Sequence, residues 1–346
     1  MKNSTAPDLN YLIDSVTTIS CPICGCEEHQ KVYRGPAFRG NLELTCVICT
    51  YCTHLYLNPR PSLEAYSEFY SKDDYGRLAS VGKKKYSRSS MHEENYFQER
   101  TGQGTRLYNE YLKDILTEND IVFDFGAGDG AWLFGLRESS GCEINGNEPG
   151  LLHVEFIKKR MGLEIFYGST EDLGDQIADK YKGKAKLAIV SGSLQHMINP
   201  MKCLSIARSI LTEDGYLYIC NWNLFDRMSL ESENAILLRE CISIDHPHYF
   251  HKNSYMFMVK KAGFEVLNFK PVSTIRTKVR HMEIFARKVP LPEKVLPELK
   301  TDEILSKIDK MESDVRRYRT FSVVYHLRFI KRKIGELVRI ISTVMI

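Results

Sequence analysis

From Ile121 onward, short apolar runs alternate with longer segments in which apolar side chains recur at helical spacing. Strands are predicted at Ile121–Phe125, Glu143–Asn147, Leu163–Phe166, Leu187–Val190, Tyr216–Asn221, Phe264–Phe269 and His281–Arg287, with helices in the gaps. Such alternation implies an α/β fold whose parallel sheet is covered by helices on both faces. Only the Pro271–Arg280 loop separates the last two strands, so they are expected to pair antiparallel at the sheet edge. Upstream, Ser62 follows the prolines at 59 and 61 as a helix cap, and 91–116 reads as one or two helices with Tyr108, Tyr111, Leu112 and Ile115 on one face. Residues Lys83–Tyr86 read as a basic loop. In the tail, Ile304–Met311 is a charged helix, and Phe321–Ile346 interleaves aliphatic residues with Arg328, Lys331, Arg332, Lys333 and Arg339. A basic amphipathic helix of this kind docks on its own domain, pairs with a second copy, or lies on an anionic membrane surface.

The first strand runs directly into glycines at 126, 128 and 130, after which a helical pattern begins. Glycine takes positive φ without a Cβ clash and lets a ligand approach the backbone, while the following helix offers its N–H groups. The spacing over Gly126, Ala127, Gly128 and Gly130 is GxGxG, whereas dinucleotide-binding folds use GxGxxG. Asp124, two residues before the first glycine, adds a carboxylate where a positively charged ligand can be held. Glu148, at the end of the second strand, is placed to accept hydrogen bonds from both hydroxyls of a ribose. After the third strand, Ser169 and Thr170 either border an adenine edge or cap a helix. After the fourth, Ser191 begins SGSLQHMINP, which sets small residues against a ligand and His196 on a first helical turn.

Ten cysteines would be many for disulfides in a reducing compartment, but six of them cluster between Cys21 and Cys52, which favours metal over bridges. CPICGC and CVICTYC supply paired CxxC knuckles with strand-like sequence between them, an arrangement that resembles a zinc ribbon. The ligand set is assigned as Cys21, Cys24, Cys49 and Cys52, with Cys46 and Cys49 as the alternative second pair. A closed four-thiolate Zn2+ site is structural, since it has no open coordination position. Cys142, Cys203, Cys220 and Cys241 are read as small packing residues. The chain has 346 residues, 43% of them apolar, with 47 basic against 44 acidic residues; it can bury a large core, and it carries no broad nucleic-acid-binding charge. Its N-terminus lacks the features of a signal peptide and no uncharged run is long enough for a membrane span, so the expected location is cytoplasmic, with the tail allowing peripheral contact at the inner face of the membrane.

Taken together, Asp124, Gly126, Gly128, Gly130 and Glu148 resemble the class I S-adenosylmethionine-dependent methyltransferases, in particular the ubiquinone-biosynthesis-like branch. Gln195, His196, Asn199 and Pro200 are similar to that family's Glu-His and Asp-Pro turn, and His246, Phe250, Gly263 and Phe264 to its His-x-x-x-Phe and Gly-Phe segments. The turn Glu213-Asp214-Gly215 matches the family's Pro-Gly-Gly only loosely, Gln195 replaces the usual Glu, and Asn221-Trp222-Asn223 replaces a Pro-Asn.

The resemblance implies a doubly wound seven-stranded Rossmann-like sheet binding S-adenosyl-L-methionine, preceded by the ribbon and followed by a helical tail. The corresponding division is a tail at 1–20, a ribbon at 21–58, a helical lid or linker at 59–116, the methyltransferase domain at 117–290 and a basic helical tail at 291–346. CxxC pairs followed by LNPRPS and an aromatic-rich helix resemble methyltransferases of surface-glycan and modified-sugar synthesis, which implies a small-molecule or glycan acceptor, foremost a sugar hydroxyl. Such an acceptor needs a general base; His196, His246 and His248 are the candidates, with Tyr249 assisting, and the loop carrying His246 and His248 is expected to cover the cleft. The competing readings are a zinc-containing scaffold that binds the cofactor without catalysis, a C-methyltransferase, and a nucleic-acid methyltransferase. The GxGxG spacing speaks against a dehydrogenase.

Overall fold

The structure is a computed structural model, and it describes residues 9–38, 42–72, 74, 78, 94–231, 235–273 and 280–321. Its N-terminal part contains β1 (Val16–Thr17), β2 (His29–Pro36), β3 (Glu43–Cys49), β4 (Leu55–Leu57) and β5 (Arg60–Pro61). β1 pairs with β5, while β2, β3 and β4 form an antiparallel meander. β3 is buried on both faces: Cys46 and Ile48 join one apolar cluster, Val47 and Cys49 another. The helix Leu63–Ser71 that follows is capped by Ser62, whose side chain accepts from the backbone N–H of Ala65, as the sequence leads one to expect.

The parallel part of the large sheet is built from β6 (Ile121–Phe125), β7 (Glu143–Glu148), β8 (Phe166–Tyr167), β9 (Ala185–Ser191) and β10 (Leu211–Trp222). Further along the chain come β11 (His248–Tyr249), β12 (Phe264–Ser273) and β13 (Arg280–Lys288). The seven-stranded order is β12-β13-β10-β9-β6-β7-β8. β13 lies antiparallel between β10 and β12, so the expected edge pair is present with its later strand on the inside. Strand order reverses between β6 and β9, and in open α/β sheets the crevice beyond such a reversal is where ligands sit.

The third strand differs from expectation. Leu163–Phe166 is predicted, but β8 spans only Phe166–Tyr167, because at the sheet edge it meets β7 at just Asn147 and Glu148. β10 is longer than predicted, with a register irregularity between Leu211 and Tyr216 that absorbs the Glu213-Asp214-Gly215 turn. β11 joins the other sheet: His248 and Tyr249 pair with Tyr56 and Leu55, so the ribbon meander acquires a fourth strand from the C-terminal half of the chain.

The helix Glu94–Leu107 and a wider π-turn at Tyr108–Leu112 make up the described part of the predicted 91–116 helical region. This helix touches the helix Ala131–Ser140 almost backbone to backbone. A Cβ on Gly104 would stand 2.3 Å from the carbonyl oxygen of Trp132, and one on Gly135 would stand 2.2 Å from that of Thr101. The C-terminal helix Thr301–Phe321 contains the predicted Ile304–Met311 segment and buries Ile304, Ile308 and Val315. It docks on the ribbon, since the Thr301 hydroxyl lies 3.0 Å from the carbonyl oxygen of Thr50, and Arg319 pairs with Glu240. The basic stretch 322–346 and the loop Lys83–Tyr86 lie outside the described residues. No described helix is long and apolar enough to cross a membrane.

Under the 94–112 segment, Glu283 of β13 is 1% exposed and accepts hydrogen bonds from Arg106 (2.5 Å), Tyr111 (2.5 Å) and Tyr218 (2.7 Å). Burial works against its charge, but these donors prevail and hold its pKa below the usual carboxylate value. Replacing Glu283 with Ala removes the buried acceptor shared by Arg106, Tyr111 and Tyr218, and the expected loss is about 3 kcal/mol in urea unfolding at neutral pH. Because the folded-state pKa is depressed, this contribution is present above the unfolded-state pKa and lost as pH falls through the folded one. The gap between wild type and Glu283→Ala should therefore narrow below about pH 4.

Candidate active site

At the C-terminal end of β6 the chain turns through Gly126, Gly128 and Gly130 with φ of 78°, 60° and 74°. A Cβ on Gly126 would lie 2.7 Å from that of Ser193, so both conformation and space require glycine there. The turn is held from behind by β7. The N–H groups of Gly126 and Ala127 both donate to the carbonyl oxygen of Asn147 at 3.0 Å. Glu148 accepts from Gly128 N–H at 2.9 Å with one oxygen and from Gly150 N–H at 2.8 Å with the other. The carboxylate thereby joins the glycine turn to the start of the next helix.

Asp124 is 2% exposed, and its Oδ1 is buried with no hydrogen-bond partner. Burial pushes its pKa up to about 8; Arg100 opposes the rise, while Glu148 and Asp129 add to it. Asp129, fully buried in the same turn, pairs with Arg100 at 2.9 Å and also accepts from Ala131 N–H at 3.2 Å. Arg100 reaches over Gly128 from the helix Glu94–Leu107. Neither Arg100 nor Asp129 is singled out by the sequence pattern: the first stands in a different element, and the second occupies a variable position between two glycines. A carboxyl buried without a partner beside three left-handed glycines and a guanidinium can hold a cationic, carboxylate-bearing nucleoside.

The flanking residues divide their duties. Ser169 caps the helix Thr170–Tyr181, accepting from Asp172 N–H at 3.1 Å. Thr170 is buried and hydrogen-bonded to the side chain of Asn147, whose amide also donates to the carbonyl oxygen of Gly168 at 3.0 Å. Ser191 ends β9 and pairs in register with Cys220. The side-chain oxygen of Gln195 and both polar atoms of the Asn221 amide are buried with no hydrogen-bond partner.

The three histidine candidates separate. His196, on the 3-10 turn Leu194–His196, holds the carbonyl oxygen of Asp245 with Nδ1 at 2.7 Å. His246 Nε2 lies 3.6 Å from Asp245 Oδ2, and the Ser243 hydroxyl donates to the other carboxylate oxygen of Asp245. The two imidazoles stand 4.6 Å apart, Trp222 meets His246 edge-on at 4.3 Å, and Tyr70 meets His196 at 6.4 Å. This cluster stands beyond the C-terminal ends of β9 and β10. His248, by contrast, is built into the ribbon sheet, 1% exposed and bonded through Nδ1 to His54 Nε2 at 3.1 Å. Burial, then the neighbouring His54 and Arg60, keep it neutral. Tyr249 is also buried, and its hydroxyl spans the backbone of Ser243.

At the ribbon, the Sγ atoms of Cys21 and Cys52 are 3.5 Å apart, as are those of Cys24 and Cys49, and all four lie within 4.8 Å of one another. These separations are too long for disulfides and close to the ~3.8 Å edge of a tetrahedron with zinc-sulfur bonds of about 2.3 Å. Both turns share one backbone form: Gly25 N–H donates to the carbonyl oxygen of Cys21 at 2.9 Å, and Thr53 N–H to that of Cys49 at 3.1 Å. Hydrogen bonds among the thiols pull Cys49 and Cys24 down and push Cys21 and Cys52 up. Cys46 stands apart in the other apolar cluster, which removes the Cys46–Cys49 alternative, while Cys26 lies 3.8 Å from the Thr50 hydroxyl.

The family described as "Methyltransferase domain" matches residues 96–268, which is 173 of the 346. The chain belongs to this methyltransferase family. With the sheet order and the acid-glycine turn, it is a class I S-adenosylmethionine-dependent enzyme. The methyltransferase is similar in fold to the 1,6-didemethyltoxoflavin-N1-methyltransferase of Burkholderia thailandensis, with 14% identity over 68% of this chain and 96% of the other at a TM-score of 0.46. It is also similar to a methyltransferase from Archaeoglobus fulgidus, at 17% identity, 55% and 94% coverage and a TM-score of 0.42. A third is the geranyl diphosphate C-methyltransferase of Streptomyces coelicolor, at 12% identity, 61% and 86% coverage and a TM-score of 0.43. No curated protein matches the methyltransferase.

The purified methyltransferase should contain about one zinc per chain by elemental analysis. Cys49→Ser should abolish it and lower the thermal midpoint by several degrees. Full stability without any metal would refute a structural zinc site.

Proposed function

We propose that this enzyme transfers the methyl group of S-adenosyl-L-methionine to a hydroxyl of a small polar acceptor, foremost a sugar of a nucleotide sugar or surface glycan. The observation that carries the reading is Asp124, a buried carboxyl without a partner next to the glycine turn and within the field of Arg100. In this reading Asp124 faces the positive end of the cofactor, Arg100 its carboxylate, Glu148 the ribose hydroxyls, and the backbone at Gly126, Ala127, Gly128 and Gly130 lies against it. Ser169, Thr170 and Ser191 border it, Ser169 and Thr170 through the backbone they cap and lock. When bound, the cofactor supplies an electrophilic methyl group, which leaves the chain to align an acceptor and remove its proton.

Proton removal is assigned to the cluster of His196, Asp245 and His246, and His248 is assigned to structure. A sugar ring suits the flanking aromatic side chains Trp222 and Tyr70, whose faces take apolar C–H groups while the imidazoles meet hydroxyls. The ribbon, with a structural Zn2+ on Cys21, Cys24, Cys49 and Cys52, supports the segment that carries Asp245 and His246. The enzyme should be incubated with methyl-labelled cofactor and extracts containing nucleotide sugars or lipid-linked glycans, and the labelled product identified by mass spectrometry. A product methylated at a sugar hydroxyl is expected, and a label only on nucleic acid or protein would overturn the acceptor class.

Two measurements check the cofactor assignment. Asp124 is largely protonated at pH 7 in the free enzyme, so binding a cation should release close to one proton and affinity should rise with pH up to about 8. Calorimetry in buffers of different ionisation enthalpy reads the release, which Asp124→Asn should abolish. Glu148→Ala should weaken cofactor binding by roughly 1.5 to 3 kcal/mol, with Glu148→Gln recovering part of the loss.

A further inference from the structure

The histidine cluster contains more than a base requires. His196, Asp245 and His246 each offer one ligand atom, and the three atoms lie within 4.8 Å of one another. Because His196 Nδ1–H donates to the carbonyl oxygen of Asp245, its lone pair resides on Nε2, the tautomer in which histidines ligate metals with a second group fixing the ring. His246 Nε2 and Asp245 Oδ2, at 3.6 Å, are already near the spacing of adjacent ligands around one ion. The remaining Asp245 oxygen is engaged by Ser243, as ligating carboxylates commonly are by a neighbouring donor. Asp245 and His246 are buried, and His196 is half-buried.

We propose that His196, Asp245 and His246 form a second metal site, which takes a divalent transition-metal ion with two imidazole nitrogens and one carboxylate oxygen and leaves coordination positions open for oxygens of the acceptor. The donor set suits manganese, iron, cobalt or zinc, while the hard cations magnesium and calcium favour all-oxygen sites. It differs from the ribbon in both respects that matter: it has no sulfur, and its three ligands do not close the coordination shell. The site rests on the methyltransferase reading only in its location at the acceptor end of the cleft. Neutralising the carboxylate and orienting a pair of acceptor oxygens would make it selective for acceptors with adjacent hydroxyl or carbonyl groups.

Manganese(II) chloride is the probe, because it is a poor ligand for the thiolates of the ribbon. Enzyme that holds one zinc per chain, in the four-cysteine cluster, and has been stripped of all other metal is titrated with it, and free Mn2+ is followed by its electron paramagnetic resonance signal. One bound Mn2+ per chain is expected. His196→Gln and His246→Gln should each weaken it roughly tenfold or more, with ribbon zinc content and cofactor affinity unchanged as the control for folding. Asp245→Asn serves if either histidine variant fails that control. No bound Mn2+, or equal binding by the wild type and all three variants, overturns the site. If methyl transfer then persists in enzyme stripped of all but ribbon zinc, and His246→Gln still removes it, the cluster acts through its imidazoles and the methyltransferase reading stands. If the labelled-cofactor assay fails while Mn2+ binds, that reading falls and the metal site remains.

Discussion

The pairing of β11 with β4 is the contact on which the rest of the arrangement depends. Residues 242–251 have little regular structure of their own, and their tethers lead to the N-terminal segment. Ile242 accepts from Phe38 N–H, Ile244 from the Tyr66 hydroxyl, Pro247 from Leu57 N–H, and His251 Nε2 holds the carbonyl oxygen of Thr53. Inside this seam His54 and His248 share a hydrogen bond with no exposed surface on His54, and burial pushes the His54 pKa down to about 3. A neutral imidazole pair joins the two parts of the chain without the desolvation penalty of a buried charge. The segment carrying Asp245 and His246 is therefore positioned largely by the N-terminal sheet, and the CxxC turn Cys49–Cys52 stands immediately before the strand that receives it.

The opposite side of the cleft is organised by electrostatics. Asp124, Asp129 and Glu148 crowd around one glycine turn, with Arg100 as the facing cation. Burial, with Glu148 and Asp129 nearby, disfavours the charge on Asp124, and Arg100 only partly offsets this. Arg100 owes its placement to two glycines with no role in binding: contact at Gly104 and Gly135 brings its helix down onto the turn. Farther along, the Glu283 network ties the same helix to β10 and β13. One helix is thus held by two half-buried guanidinium groups, Arg100 toward the site and Arg106 toward the sheet.

Much of this was legible in the sequence, for physical reasons. Strands buried on both faces read as apolar runs, and so β6, β9 and β10 stand out; the left-handed turn demands glycine at fixed spacing, and so Gly126 to Gly130 do too. Thiolate pairs around one ion leave a CxxC trace that no other constraint produces so compactly, and Cys21, Cys24, Cys49 and Cys52 converge as that trace implies. What escaped were long-range contacts without local periodicity. Edge strand β8 shrank because pairing, not composition, limits it. Arg100 lies on a helix whose orientation is set by glycines, and nothing near it in sequence marks it. His248 shares its loop with His246, yet the chain bends at Pro247 between them, and one ring lies against Trp222 while the other enters the ribbon sheet.

The late origin of β11 has a consequence for how the molecule is made. A ribosome delivers the ribbon's β2, β3 and β4 long before His248 and Tyr249, 194 positions beyond His54, have left the exit tunnel. During that interval β4 remains an open edge, and the apolar faces that β11 and the C-terminal helix will cover face solvent. Such non-local pairing makes folding slow and exposes nascent chains to association. The convergence of Cys21, Cys24, Cys49 and Cys52 involves β3 and the turn before β4 but nothing from β11, so that corner of the sheet can close before its last strand arrives.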